Sequence, residues 1–175
     1  MIRLIIFFGI PIGFFAWSWP FLRNPRSHGF FRFFAFESIV ALILLNVGQW
    51  FQNPLAAHQI VSWVLLGVSL VMAIVGFYLL SKVGKPKDYN IEDTTALVKV
   101  GAYRYIRHPL YSSIFFMGWG VFFKDPSILG IILVVATSTF ITATAKIEEM
   151  ENLRKFGTEY ADYMKGTKMF IPFFL

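Results

Sequence analysis

The chain has 175 residues, 57% of them hydrophobic and only 15% charged, against about 25% charged in an average soluble domain. It has no cysteine, which excludes disulfides, thiolate metal sites and cysteine nucleophiles. The net charge is +6, but the basic residues flank apolar runs, so the expected partners are membrane lipids with anionic headgroups and not nucleic acid. At this length a single domain over 1–175 is expected.

A hydrocarbon core of about 30 Å needs roughly 20 helical residues to cross it. In chain order, Met1–Leu22, Phe33–Phe51 and Ile60–Ser81 are predicted transmembrane helices. Leu110–Phe123 is shorter and needs tilting or local thinning to span. Ser127–Ala145 is the fifth run, and Lys124-Asp125-Pro126 is a tight turn that joins the last two as a helical hairpin. The prediction is an all-α polytopic membrane protein of about five spans, with a cytoplasmic helical tail. The first run has a single basic residue and no small-x-small cleavage signal, so it is not expected to be a removed signal peptide.

Five spans place all 16 lysines and arginines on one side except Arg3 and Lys124. The excess of positive charge on cytoplasmic loops then sets the N-terminus outside and the C-terminus in the cytoplasm. Trp17 and Trp19 near the inner end of the first run agree with interfacial belts, as do Trp50 and Trp63 around an outer loop. Glu37 falls inside the second run, about one turn from its cytoplasmic end, where snorkelling or pairing with Arg32 or Arg26 is expected.

Two segments break the apolar pattern: the loop Lys82–Pro109 and the tail Lys146–Leu175. Titratable residues concentrate there, so the chemistry is expected on the cytoplasmic face. The loop ends Gly101-Ala-Tyr103-Arg104-Tyr105-Ile-Arg107-His108-Pro109-Leu-Tyr111. Pro109 holds His108 in an extended conformation and can open the next helix at its first turn. A helix N-terminus with a forked arginine, Arg104 or Arg107, suits an anionic ligand group. The same cations equally suit lipid phosphate, and the tyrosines an interfacial belt.

The tail continues the fifth helix through Lys146-Ile-Glu148-Glu149-Met-Glu151-Asn152 to Tyr163. Glu148, Asn152 and Lys155 share one face, and Glu149, Leu153 and Phe156 the adjacent one. A solvated face with Glu151 paired to Lys155 or Arg154 is the plain alternative. Together the two segments complement S-adenosylmethionine. Arginine or helix N–H groups suit its carboxylate, glutamates its ammonium or ribose diol, and tyrosines its adenine and sulfonium. A nucleotide would fit many of the same groups. The histidines His28, His58 and His108 lie far apart and form no compact zinc motif, so no metal is expected. No dinucleotide or P-loop glycine string is present.

The string Gly-x-Tyr-Arg-Tyr-x-Arg-His-Pro-x-Tyr over Gly101 to Tyr111 resembles the first signature of the isoprenylcysteine carboxyl methyltransferase and phospholipid N-methyltransferase superfamily. Glu148-Glu149, Phe156-Gly157-Thr-Glu159-Tyr160, Tyr163 and Ile171-Pro172 resemble its second. The likeness covers roughly Thr95 to Pro172; the first three runs match only in being apolar. It implies S-adenosylmethionine as cofactor, in a pocket at the cytoplasmic membrane surface. It assigns Gly101, Tyr103, Arg107, His108, Pro109 and Tyr111 to the cofactor site, with Glu148 and Glu149 opposite. Arg154 is the counterpart of an arginine thought to hold the substrate carboxylate. An amine acceptor must lose a proton, for which Glu148, Glu149 or His108 is the candidate base. Met169–Leu175 would fold back to the membrane and close the pocket. The acceptor would be a lipophilic small molecule or lipid, either isoprenylcysteine-carboxylate-like or a phospholipid amine. The competing readings are an NADPH-dependent membrane reductase of related architecture and a non-enzymatic membrane assembly protein.

Overall fold

A computed structural model of the protein describes residues 28–86 and 94–173. The predicted first span, Met1–Leu22, lies outside them, as do Arg23, Arg26 and Lys87. The described residues are all-helical apart from isolated backbone bridges: α1 His28–Asn46, α2 Ala57–Lys82, α3 Pro109–Phe122, α4 Ile128–Phe156 and α5 Thr158–Gly166, with 3₁₀ turns at Val47–Gln49 and Gly101–Arg104. Among them three stretches are long and apolar enough to cross a membrane: His28–Gln49, Ala57–Lys82 and Ile128–Phe156. α3 has 14 residues, a rise of about 21 Å, short of the hydrocarbon thickness as expected. Pro109 opens it, where its missing N–H costs no helical hydrogen bond.

The chain divides into two compact units, to which α2, α3 and α4 each contribute. The first comprises the described part of Met1–Leu65 and Gly118–Ile147. Ala35, Ile39 and Leu42 repeat at helical spacing on α1 and are buried, as are Val121, Val134 and Ile141. Several of its polar groups are satisfied internally, as an apolar solvent favours. Asn46 Nδ2 donates to Val121 O at 2.8 Å and Ser62 Oγ to Gly120 O at 2.6 Å. On α4, Thr137, Ser138, Thr139, Thr142 and Thr144 each donate to the carbonyl four residues back.

Lys124, in the turn between α3 and α4, does not reach solvent. It is 1% exposed, with Nζ 3.4 Å from the Trp63 ring centroid and 3.1 Å from Gln59 Oε1. Trp50 and Trp63 thus enclose a cation, a placement that the attraction of ring faces for ammonium favours. Glu37 Oε1 is buried without a hydrogen-bond partner, and Arg26, one of its two expected partners, lies outside the described residues.

The second unit comprises Leu66–Met117 and the described residues from Glu148 on. Leu70, Ile74 and Phe77 form an exposed apolar stripe on α2, suited to hydrocarbon. Ser69 Oγ donates to Ser113 O at 2.7 Å, tying α2 to α3. Gly101 begins the 3₁₀ turn with φ +60, and a Cβ there would lie 2.7 Å from Leu79 Cδ1. Gly157 ends α4 with φ 59 and ψ −131, backbone that only glycine adopts without strain, and α5 starts on the next residue.

Nothing lies within 4 Å of a Cβ built on Gly157, so Gly157→Ala isolates backbone strain from crowding. The expected cost is about 1–3 kcal/mol, read as a lower midpoint in detergent thermal unfolding. An unchanged midpoint would mean that the α4–α5 junction relaxes freely.

Candidate functional site

The 3₁₀ turn Gly101–Arg104, the extended residues before Pro109, the end of α4 and helix α5 surround one pocket of about 670 Å³, counting its open mouth. Its polar wall is Tyr103, Arg107, His108, Tyr111, Glu148, Asn152, Tyr160 and Tyr163. Its apolar wall includes Leu80, Leu97, Val98, Leu110 and Phe156.

Helical geometry splits the adjacent acids. Successive α-helical residues point about 100° apart, so Glu148 and Glu149 cannot face the same way. Glu148 joins Asn152 and Phe156 along one side of α4, in the pocket wall. It accepts from the Tyr111 hydroxyl at 2.5 Å, its Oε1 is 3.8 Å from His108 Nδ1, and its side chain is 32% exposed. Glu149 is only 9% exposed and takes the Arg107 Nε–H at 2.6 Å. A carboxylate so withdrawn from water requires a cation or several donors.

Arg107 then closes the other side. Its Nη1 donates to Thr167 O at 2.5 Å and, longer, to Met164 O at 3.4 Å. The expected fork for an anionic ligand is therefore occupied by the protein's own carboxylate and by carbonyls in the last turn of α5 and just after it. Arg107 still borders the pocket.

The residues after α5 return as a strap beside the Tyr105–His108 segment. Ile106 and Lys168 form a parallel bridge. Lys168 N donates to Tyr105 O at 3.0 Å, Arg107 N to Lys168 O at 2.8 Å and His108 N to Met169 O at 3.2 Å. Phe170 is fully buried, its carbonyl accepts from Ser112 Oγ at 2.8 Å, and its ring is 6.3 Å from His108. The backbone N–H of His108 is thus spent on the strap and does not point at a ligand. Phe170 packs beside His108, and none of Met169–Phe173 enters the pocket wall.

His108 is held on several sides. Pro109 fixes its backbone. Tyr111 stacks on its ring, with centroids 5.5 Å apart and planes 24° apart. Its Nε2 is buried, 3.4 Å from Glu149 Oε1, with no geometrically sound hydrogen bond in the structure. Buried polar atoms of this kind are rare and need a reason.

The tyrosines stay neutral. Burial foremost, then the negative charge of Glu148, pushes the Tyr103 hydroxyl well above the ordinary phenol range. Burial does the same for Tyr160 and Tyr163. Tyr163 Oη donates to Tyr103 O at 2.6 Å and fastens α5 to the 3₁₀ turn.

Of the sequence candidates, Tyr103, Arg107, His108, Tyr111 and Glu148 come together around the pocket. Glu149 and Pro109 sit behind it, Glu149 on Arg107 and Pro109 at the start of α3. Gly101 shapes the turn that carries Tyr103. Arg154 is exposed on α4 and outside the wall. Asn152, Tyr160 and Tyr163 were not among the candidate site residues; the i, i+3 spacing of the two tyrosines on a short amphipathic helix was the available signal. Leu97 and Val98 carry no local signal of their place.

The phospholipid methyltransferase family profile matches residues 57–159. Over 83 residues the chain is 34% identical to the protein-S-isoprenylcysteine O-methyltransferases of Mus musculus and Rattus norvegicus, a stretch that is 46% of this chain and 29% of each relative. The chain therefore corresponds to well under half the length of these relatives. The matched residues include Tyr103, Arg107, His108, Tyr111 and Glu148, and the chain belongs to the phospholipid methyltransferase family, in the superfamily it shares with the isoprenylcysteine methyltransferases.

Proposed function

We propose that the protein is an S-adenosylmethionine-dependent methyltransferase that works at the cytoplasmic membrane surface on a lipophilic or lipid acceptor. The observation that carries this reading is one pocket that gathers His108, Tyr103, Tyr111, Tyr160 and the part-exposed Glu148 carboxylate. An imidazole beside a part-exposed acid and neutral tyrosines fits a ligand with cationic, hydroxyl and aromatic parts. Family membership selects a methyl donor among such ligands.

A methyl group activated on a sulfonium is what S-adenosylmethionine supplies when bound. Glu148, anchored by the Tyr111 hydroxyl, holds negative charge where an ammonium or ribose diol would be recognised. Tyr103, Tyr160 and Tyr163 give ring faces and neutral hydroxyls. His108 borders the pocket with Nε2 turned to Glu149 and Nδ1 on the side of Glu148, while Arg107 and Glu149 hold the loop and the strap together around it. Leu97, Val98, Leu110 and Phe156 exclude water from the other wall. Orienting two reactants in such a space is worth about 7–11 kcal/mol. A carboxylate acceptor needs no base; an amine acceptor gives its proton to Glu148 or His108. The basic loops face the cytoplasm in this reading, so the polar donor arrives from water and the acceptor from the bilayer.

The test is calorimetric binding of S-adenosylmethionine and, separately, NADPH to the purified full chain in detergent. Wild type is expected to bind S-adenosylmethionine and not NADPH. His108→Ala is expected to weaken binding about tenfold, the usual scale for one lost hydrogen bond to a charged or polar ligand group. NADPH binding would move the protein to the reductases. Binding of neither by a folded sample would favour a non-catalytic role.

A further inference from the structure

The strap behind His108 carries a second surface on its other side. Lys165, Thr167, Lys168, Tyr105 and Phe173 line a separate pocket of about 510 Å³, counting its open mouth. Arg104 lies beside it, with its guanidinium 6.0 Å from the Tyr105 ring centroid. Three cations thus gather against one acid: Asp162 pairs with Lys165 at 2.7 Å. Among the described residues no carboxylate lies within ion-pair distance of Lys168 or Arg104.

Two aromatic rings stand in this cationic patch. Tyr105 is 49% exposed and Phe173 is 85% exposed, with centroids 6.3 Å apart. A bare phenylalanine beside lysines is poorly suited to water. It is well suited to the boundary of a bilayer, where rings settle among headgroups and cations meet phosphate.

We infer that Tyr105, Lys165, Lys168 and Phe173, with Arg104, form a binding site for the phosphate headgroup of an anionic phospholipid, distinct from the pocket at His108. The site is coupled to that pocket by backbone. Lys168 and Tyr105 hydrogen-bond to each other through main-chain atoms, and the next bonds of the same ladder hold Arg107 and His108. A headgroup that fixes Lys168 and Tyr105 therefore steadies the segment that carries His108. Only this coupling rests on the proposed function; the lipid site itself does not.

The experiment places the full chain in bilayers of phosphatidylcholine containing spin-labelled phosphatidylglycerol or spin-labelled phosphatidylcholine. The motionally restricted signal reports selectivity for the anionic lipid. Selectivity in wild type is expected to fall by about fivefold for each lysine removed in K165Q and K168Q. K99Q, whose lysine pairs with Glu159 at 2.8 Å elsewhere, is expected to behave as wild type. The strap's ladder uses only the main chain of Lys168, so K168Q should fold, and its unfolding midpoint is measured in the same samples. Unchanged selectivity in the double variant K165Q/K168Q overturns the site. Loss of selectivity on adding inorganic phosphate, at ionic strength held constant, would reassign it to free phosphate and overturn the lipid.

The coupling is read separately, as S-adenosylmethionine affinity with and without phosphatidylglycerol. Tighter binding in the anionic bilayer, lost in K165Q/K168Q, is expected; equal affinity in both bilayers overturns the coupling. Absence of S-adenosylmethionine binding in either bilayer, with lipid selectivity intact, is a failure of the proposed function and not of the lipid site.

Discussion

Arg107→Leu is expected to destabilise the protein by about 3–5 kcal/mol, the scale for stranding one member of a buried ion pair. Glu149 is 9% exposed, and the Arg107 Nε–H is its 2.6 Å partner. Leucine roughly fills the space of the aliphatic stem but leaves the carboxylate without its cation. It also removes the donor that ties Thr167 O, and so the strap, to the loop. Chemical unfolding in detergent should show the loss as a lower midpoint, and S-adenosylmethionine binding should fall with it.

The double variant Arg107→Leu/Glu149→Met separates causes. Removing both charges leaves nothing buried and unpaired, so most of the stability should return. The strap would still lack its Arg107 tie, so cofactor affinity should stay low. If the double variant is as unstable as the single one, the cost lies in lost packing and not in the stranded charge. If Arg107→Leu is fully stable, the pair is not buried as described.

Much of this arrangement could be read from the residues, and the reasons for the rest are physical. Apolar run length predicted α2 within a few residues, 60–81 against Ala57–Lys82, because hydrocarbon imposes a span length that composition records directly. Pro109 marked the start of α3 correctly, since its ring constrains both itself and His108. The continuation of α4 past Ala145 was visible in helical spacing. Its stop at Gly157 rests on a positive φ that a glycine permits but does not announce.

The partners of Arg107 were hidden for a different reason. A forked cation beside a helix start looks ready for an anion whether or not the fold supplies one. Here the fold supplies Glu149 from 42 positions along the chain and Thr167 O from 60. Such pairings depend on the path of the whole chain, which local periodicity does not contain. Lys124 is the same case: only the folded chain brings Gln59, Trp50 and Trp63 around it.

Glu148→Gln should behave in the opposite way from any change at Glu149, although the two residues are neighbours. Glu148 is 32% exposed in the pocket wall, so losing its charge strands nothing and should change stability by less than about 1 kcal/mol. The glutamine oxygen can still accept from Tyr111. What disappears is negative charge facing the pocket, so S-adenosylmethionine affinity should fall about tenfold or more, the scale of a charge-assisted hydrogen bond. With an amine acceptor, whose proton Glu148 is placed to take, turnover should fall by about 10²–10⁴. Tyr111→Phe should give a smaller loss of affinity, because it frees the carboxylate from its anchor without removing it. The measurements are calorimetry for binding and unfolding midpoints for stability, run on Glu148→Gln and Glu149→Gln side by side. Were Glu148→Gln to unfold the protein while leaving the affinity of the folded fraction unchanged, Glu148 would be a structural acid and the pocket would need another group to meet its ligand.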